Sequence, residues 1–127
     1  MEIQSIDHLV LTVRDIEATC TFYAQVLGMS VTAFDDGRKA LSFGKQKINL
    51  HRYGHECEPK AMLPTPGSAD LCFVTATPLS EVIAHLRSCG VRLLEGPVRR
   101  TGAVGDILSV YFQDPDGNLI EVSNRLG

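Results

Sequence analysis

The chain has 127 residues, of which 44% are hydrophobic and 21% charged, and its formal net charge is -3. This composition is typical of a globular domain and excludes a disordered or fibrous chain. The weak acidity, with no basic run longer than Arg99-Arg100, argues against nucleic acid and anionic membranes as partners. No apolar run has the length of a membrane helix and no export signal opens the chain, so we expect a cytoplasmic protein.

The first half of the chain predicts a strand, a helix and three further strands. Residues 7–13 alternate in the manner of a strand, and a helical pattern of apolar residues follows. Asp15 is placed to cap the start of this helix, and Gly28 to supply the left-handed turn at its end. Three short strands are then predicted over 30–34, 39–43 and 47–52.

A proline-rich stretch over 54–68 separates the two halves. Pro59, Pro64 and Pro66 resist both helix and central strand, so the stretch is predicted to be a linker on the surface. The chain is therefore divided into a first module over 1–53, the linker over 54–68 and a second module over 69–127, within one structural domain.

The second half predicts the same order of elements. After a strand over 69–75, Thr77 is expected to cap a helix, with Pro78 in the first helical position and Gly90 after the last turn. Strands are predicted over 92–94, 108–112 and 119–123. The glycine-rich stretch 96–106 is predicted to be a long loop, and a proline–glycine turn over 114–117 leads into the last strand.

The two halves are related by an internal repeat. An offset of 62 residues carries His8 onto Asp70 and Gly28 onto Gly90. Two copies of a unit of about 60 residues indicate paired modules and not a solenoid, which needs three or more units. The predicted fold is α+β, with two tandem βαβββ modules forming a curved mixed sheet around a cleft and the helices outside.

The four cysteines show no Cys-x-x-Cys spacing, so they are predicted to be free thiols. Three of them fall within apolar periodic segments. We interpret those three as small side chains that fill the core.

Polar residues interrupt the aliphatic strands at equivalent places in the two modules. Glu121 is the clearest, because a carboxylate in an otherwise apolar strand must meet water, a cation or a metal. Strand alternation places each of these polar side chains on the face away from the helices. Imidazole and carboxylate groups together form the ligand set of zinc, iron, nickel and manganese sites. The polar residues on this face are His8, Asn49, His51, Asp70 and Glu121.

Three segments resemble a known family. They are 7–11 (DHLVL), 22–29 (FYAQVLGM) and 112–121 (FQDPDGNLIE). Together they are similar to the glyoxalase/bleomycin-resistance/extradiol-dioxygenase superfamily, also called the vicinal oxygen chelate superfamily. Within it, the chain resembles small glyoxalase-domain proteins described as lactoylglutathione lyase-like or virulence-associated.

The resemblance implies a divalent metal, nickel, zinc, manganese or iron, held by residues of the first and last strand of each module. Carried onto this chain, those positions are His8, Asn49, Asp70 and Glu121. The glyoxalase I pattern has Glu where Asn49 stands, and usually His or Glu where Asp70 stands. His51, two residues on and on the same face, is the alternative to Asn49 as a ligand. A small-molecule substrate, glutathione as a possible co-substrate and a homodimer are also implied.

The leading hypothesis is a metal-dependent lyase of glyoxalase type. Glu121 is assigned to proton transfer, with Asp70, or alternatively His51, as a second group that shares it. His8, His51, Asp70 and Glu121 are assigned to the metal. Asn49, Arg100 and Ser123 are assigned to substrate binding. Three other arginines are further candidates for a substrate carboxylate. These arginines are Arg14, Arg38 and Arg99. The stretch 96–106 and the linker over 54–68 are candidate covers for the cleft.

Other functions fit the same residues. An Fe(II) dioxygenase needs two histidines and one glutamate, a count that His8, His51 and Glu121 satisfy. A thiol transferase acting on an antibiotic such as fosfomycin also needs a metal. A metal-free binding protein of the bleomycin-resistance kind would instead rely on aromatic side chains, and the chain has no tryptophan and three tyrosines.

Overall fold

A computed structural model describes residues 1–127, which divide into two compact units, Met1–Pro66 and Gly67–Gly127. The first unit is a four-stranded sheet with one helix. Its strands lie in the order β1-β4-β3-β2, with the β1–β4 pair parallel and the other pairs antiparallel. Its elements are β1 (His8–Val13), α1 (Ile16–Leu27), β2 (Ser30–Phe34), β3 (Arg38–Phe43) and β4 (Gln46–Arg52).

The second unit repeats this arrangement. Its sheet has the order β5-β8-β7-β6, again with one parallel pair, β5–β8. Its elements are β5 (Asp70–Val74), α2 (Leu79–Ser88), β6 (Glu95–Gly102), β7 (Gly105–Gln113) and β8 (Leu119–Arg125). The predicted α+β fold of two βαβββ modules is thus confirmed. Neither helix has the length and apolar content needed to span a bilayer.

Helix α1 begins and ends where its caps predict. The Asp15 side chain accepts a hydrogen bond from the Ala18 amide at 3.0 Å, and Gly28 adopts the left-handed conformation with φ of 68°. Tyr23 and Val26 are buried, and α1 packs on β2, β3 and β4. The helix therefore covers one face of the first sheet and leaves the other face to polar side chains.

The predicted cap of α2 is wrong. The helix begins at Leu79, one residue later than expected, and neither Thr77 nor Pro78 caps it with a side chain. The Leu79 amide instead donates to Asn124 Oδ1 at 2.8 Å, and Asn124 Nδ2 donates to the carbonyls of Thr75 and Thr77. The cap comes from β8, a distant part of the sequence, so local patterning could not reveal it.

Replacing Asn124 with alanine should lower the free energy of unfolding by about 1–2 kcal/mol, because three hydrogen bonds at the start of α2 lose their partner. Urea unfolding of the variant measures this loss. Thr77→Ala is the matched control and should change stability by less than about 0.5 kcal/mol. A larger loss of stability for Thr77→Ala than for Asn124→Ala would show that Thr77, and not Asn124, caps α2.

The stretch 96–106 is not a long loop, and 92–94 is not a strand. Residues 95–102 form β6, which pairs with β7 through a hairpin. A Cβ on Gly96 would collide with the Ser109 carbonyl oxygen, and one on Gly102 would lie 2.7 Å from the Gly105 carbonyl oxygen. These glycines thus permit close strand pairing, and Pro97 is tolerated because β6 is an edge strand with a bulge. The role of this stretch as a cover for the cleft stays a prediction.

All four cysteines are free, as predicted. Cys20 is buried, and burial raises the pKa of its thiol. Cys72 and Cys89 are exposed, so the interpretation of these two as core-filling side chains is wrong.

Candidate functional site

The face of the first sheet opposite its buried aliphatic side chains is polar. Along the parallel pair β1–β4, His8 lies opposite Lys47, Val10 opposite Asn49, and Thr12 opposite His51. We call this surface the first polar face. Its polar residues, read from the strand registers, are His8, Thr12, Ser30, Thr32, Arg38, Ser42, Lys47, Asn49 and His51.

The second sheet has a corresponding surface, the second polar face. Cys72 lies opposite Glu121 in the parallel pair β5–β8, and Tyr111 lies opposite Glu121 in the antiparallel pair β7–β8. Ile120 and Val122, on either side of Glu121, are buried on the other face. Its polar residues are Asp70, Cys72, Glu95, Arg100, Ser109, Tyr111, Gln113, Glu121, Ser123 and Arg125.

Two donor pairs occupy equivalent places on these faces. His8 pairs with a residue two before Asn49, and Asp70 pairs with a residue two before Glu121. Strand spacing therefore puts the Cα atoms of each pair roughly 8 Å apart. The parallel strand pairs β1–β4 and β5–β8 therefore have equivalent registers, as the internal repeat in the sequence predicts. One pair offers an imidazole and an amide, and the other offers two carboxylates.

The donor types of these pairs fit a divalent metal. Asn49 Oδ1 is buried and has no hydrogen-bond partner. This oxygen is therefore available to coordinate a cation. His8 forms a 2.8 Å contact with Asp7 through Nδ1, which leaves Nε2 for a ligand role. No group of three His, Cys, Asp or Glu side chains that could hold a metal is found in the chain.

His51 has a different environment from His8. It lies four residues further along the β1–β4 pairing, a displacement of roughly 13 Å. Its Nε2 accepts a hydrogen bond from the Arg38 guanidinium at 3.4 Å. Burial first, and the Arg38 charge second, lower the pKa of His51, with a smaller opposing effect from Glu56. This geometry does not favour His8 and His51 as ligands of one ion.

The lowered pKa of His51 predicts acid sensitivity. Because the pKa of His51 is lower in the folded protein than in the unfolded chain, protonation of His51 favours unfolding. The stability that neutral His51 contributes is therefore complete above about pH 6.5 and is lost as pH falls towards the folded-state pKa. Urea midpoints at pH 7.5 and 5.5 should therefore differ more for the wild type than for His51→Gln. His55→Gln removes an exposed imidazole and should keep the wild-type difference. An unchanged pH difference in His51→Gln would show that another group titrates.

Glu121 belongs to a hydrogen-bonded group on the second polar face that is centred on Ser123. Ser123 Oγ donates to Glu121 Oε2 at 3.4 Å and lies 2.6 Å from Ser109 Oγ and 3.3 Å from Cys72 Sγ. Both serines are buried. Burial raises the pKa of Cys72, and the charge and hydrogen bond of Glu121 also raise it, so this thiol stays protonated near neutral pH.

Arg100 and Tyr111 extend this group across the sheet. Arg100 Nε donates to Tyr111 Oη at 3.0 Å, and an Arg100 amino group lies 3.3 Å from Glu95. Burial raises the pKa of Tyr111, and Glu121 raises it further. Arg99 points elsewhere and pairs with Asp106 at 2.9 Å. Sequence reasoning missed Tyr111, because its placement opposite Glu121 depends on the β7–β8 register.

The turn before β8 determines where Glu121 lies. Asp114 accepts hydrogen bonds from the amides of Asp116 and Asn118 and from Asn118 Nδ2, all between 2.8 and 2.9 Å. Asn118 Oδ1 accepts from the Ala69 amide at 2.9 Å, directly before β5. Asp114 and Asn118 are both buried. The turn therefore joins β8 to β5 in the register that places Glu121 beside Asp70 and Cys72.

Paired βαβββ units with strand-borne polar donors define a class of small-molecule-binding and metal-dependent proteins. The family model of the Glyoxalase/Bleomycin resistance protein/Dioxygenase superfamily matches residues 5–122. The chain belongs to this superfamily, so the family resemblance recognised in the sequence is confirmed.

Similar proteins share most of the chain. It is 59% identical over 123 residues to virulence protein STM3117 of Salmonella typhimurium, covering 97% of this chain and 85% of that protein. It is 56% identical over 124 residues to the glyoxalase domain-containing protein RDO1 of Mycosarcoma maydis, covering 98% and 70%. The crystal structure of the Salmonella protein superposes with a TM-score of 0.98 at 58% identity, covering 99% of this chain and all of that one.

More distant relatives differ in their named activities. Metallothiol transferase FosB of Staphylococcus saprophyticus is 28% identical over 120 residues, covering 94% of this chain and 76% of that protein. A lactoylglutathione lyase from Agrobacterium tumefaciens has a TM-score of 0.74 at 22% identity, covering 98% of this chain and 96% of that one. The antibiotic-binding protein TnmS3 from a Streptomyces has a TM-score of 0.76 at 22% identity, covering 99% of each chain. The two structural likenesses show a shared fold alone.

Proposed function

We propose that this protein is a divalent-metal-dependent enzyme of glyoxalase type that acts on a small substrate with adjacent oxygens. His8, Asp70 and Glu121 would serve as metal ligands, and Asn49 would serve as a fourth ligand or contact the substrate. The observation that carries the proposal is the matching register of the two donor pairs. We further propose that the chain acts as a homodimer, as is common in the superfamily.

A bound divalent metal would supply Lewis-acid polarisation of the substrate oxygens. Glu121 would move a proton between neighbouring carbons of the substrate, because its carboxylate is half-buried and the hydrogen bond that it accepts from Ser123 is long at 3.4 Å. Tyr111, held by Arg100, would orient the Glu121 carboxylate from the adjacent strand. Asp70, exposed at the start of β5, would share the proton transfer.

A glyoxalase-type lyase is favoured over a two-histidine dioxygenase. The dioxygenase would require His51 as a ligand beside His8, whereas His51 Nε2 accepts a hydrogen bond from Arg38. The relative named as a metallothiol transferase supports metal-dependent thiol chemistry as a second candidate. Glutathione would then be a co-substrate in either activity.

The test is turnover of the hemithioacetal of methylglyoxal and glutathione by the full-length protein loaded separately with nickel, zinc, manganese and iron. We expect lactoylglutathione formation that depends on one of these metals and stops when a chelator removes it. No turnover with any of the four metals would overturn the lyase assignment. Transfer of glutathione to an epoxide antibiotic under the same conditions would favour the transferase.

A further inference from the structure

The first polar face carries a cationic cluster that the proposed catalytic residues do not use. Arg38 and Lys47 both lie over the Phe34 ring, with the Arg38 guanidinium carbon 4.8 Å and the Lys47 nitrogen 4.0 Å from the ring centroid. His51 accepts a hydrogen bond from Arg38 and is therefore neutral at Nε2. We call Phe34, Arg38, Lys47 and His51 the cationic cluster.

The cationic cluster has no counter-ion within the chain. Neither Arg38 nor Lys47 lies within 4.0 Å of any carboxylate oxygen among the ion pairs of the protein. The negative charge of Glu56 acts on His51, but the Glu56 carboxylate accepts a hydrogen bond from the Gly54 amide and pairs with Lys60. Arg38 Nε is buried and has no hydrogen-bond partner. Two unneutralised cations and one unpaired N–H donor thus share a small area.

We propose that the cationic cluster binds an oxyanion, the carboxylate or phosphonate group of a small-molecule substrate. Arg38 supplies planar N–H donors suited to an oxyanion, and Lys47 supplies a second positive charge. Binding would require a small shift of the Arg38 side chain that brings Nε to the ligand. Phe34 supports both cations from beneath and restricts their motion.

The location of the cluster connects it with the donor pair of the first unit. The Arg38 side chain contacts His51 at 3.4 Å, and Ala40, the next residue of β3 on the same face, pairs with Asn49. A ligand anchored at Arg38 therefore extends along β4 towards Asn49. The inference deepens the proposed function by naming an oxyanion-bearing substrate, but oxyanion binding itself requires neither metal nor turnover.

The test is a titration of the full-length ¹⁵N-labelled protein, without added metal and with a chelator present. Methylphosphonate and acetate represent the two oxyanion sources, and acetamide is the neutral analogue. We expect one or both anions to shift the Arg38 Nε–H resonance saturably, and acetamide to leave it unchanged. The stronger of the two anions identifies the source. Equal shifts with acetamide, or no saturable shift with either anion, would overturn the proposal.

Substitutions within the cationic cluster show where the anion binds. Arg38→Gln should weaken anion binding by about tenfold or more, read from backbone amide shifts on β3 and β4, and Lys47→Gln should weaken it to a lesser extent. Arg87→Gln is the matched control, because Arg87 is an exposed arginine in the last turn of α2, and it should bind as the wild type does. Backbone spectra establish that each variant is folded. Wild-type affinity in folded Arg38→Gln would contradict the assignment.

Discussion

Replacing Glu121 with glutamine is expected to lower turnover of the glyoxalase substrate by about 10²- to 10⁴-fold, because the amide cannot accept the transferred proton. The same change should weaken divalent-metal binding, since an amide is a poorer ligand than a carboxylate. The fold should survive, because glutamine keeps the shape of the side chain and Ser123 can still donate to its oxygen. Steady-state kinetics and metal titration of the same preparation measure the two effects.

Glu81→Gln is the control for this prediction. Glu81 is an exposed carboxylate in the first turn of α2, so its removal changes the net charge by the same amount without touching the second polar face. We expect its turnover and metal affinity to match the wild type. Loss of turnover in both variants would indicate a general charge effect, and full activity of Glu121→Gln would remove Glu121 from the proposed chemistry.

Replacing Asn118 with alanine is expected to lower the free energy of unfolding by about 2–4 kcal/mol. The change removes the hydrogen bonds that Asn118 makes with the Ala69 amide and with the buried Asp114 carboxylate. Because these bonds join the turn to β5, metal affinity should fall together with stability. Urea unfolding gives the first quantity and metal titration of the folded variant gives the second.

Gln113→Ala is the matched control for the turn. Gln113 is the last residue of β7 and is exposed, so its truncation should change stability by less than about 0.5 kcal/mol. A stability loss for Asn118→Ala no greater than that of the control would contradict the structural role assigned to the turn.

The strand and helix order was predictable because it depends on local patterns. The alternation of Ile120, Glu121 and Val122 and the Asp15 and Gly28 caps of α1 each operate within one turn or one strand. The internal repeat then predicted the second module from the first. Strand alternation predicted that aliphatic and polar side chains lie on opposite faces of each sheet. The aliphatic residues on the face opposite the polar ones are indeed buried, as Leu11, Val13, Ile120 and Val122 show.

The features missed by sequence reasoning depend on contacts between distant residues. Asn124 caps α2 from another strand, and Gly96 belongs to a strand because it must pass close to β7. The contact of Arg38 with His51 likewise depends on the β3–β4 register, which no local pattern specifies. Glycine and proline content alone favoured a loop over 96–106, and pairing with β7 overrode that local preference.

The metal content of the purified protein distinguishes a metal-dependent enzyme from a metal-free binding protein. The full-length chain is incubated separately with nickel, zinc, manganese and iron, dialysed, and analysed for bound metal per chain. If the donor pairs His8–Asn49 and Asp70–Glu121 hold a metal, at least one of these ions should remain at about one equivalent, and Glu121→Gln should reduce that amount. The absence of stoichiometric metal in every case would contradict the account and favour a metal-free binding protein.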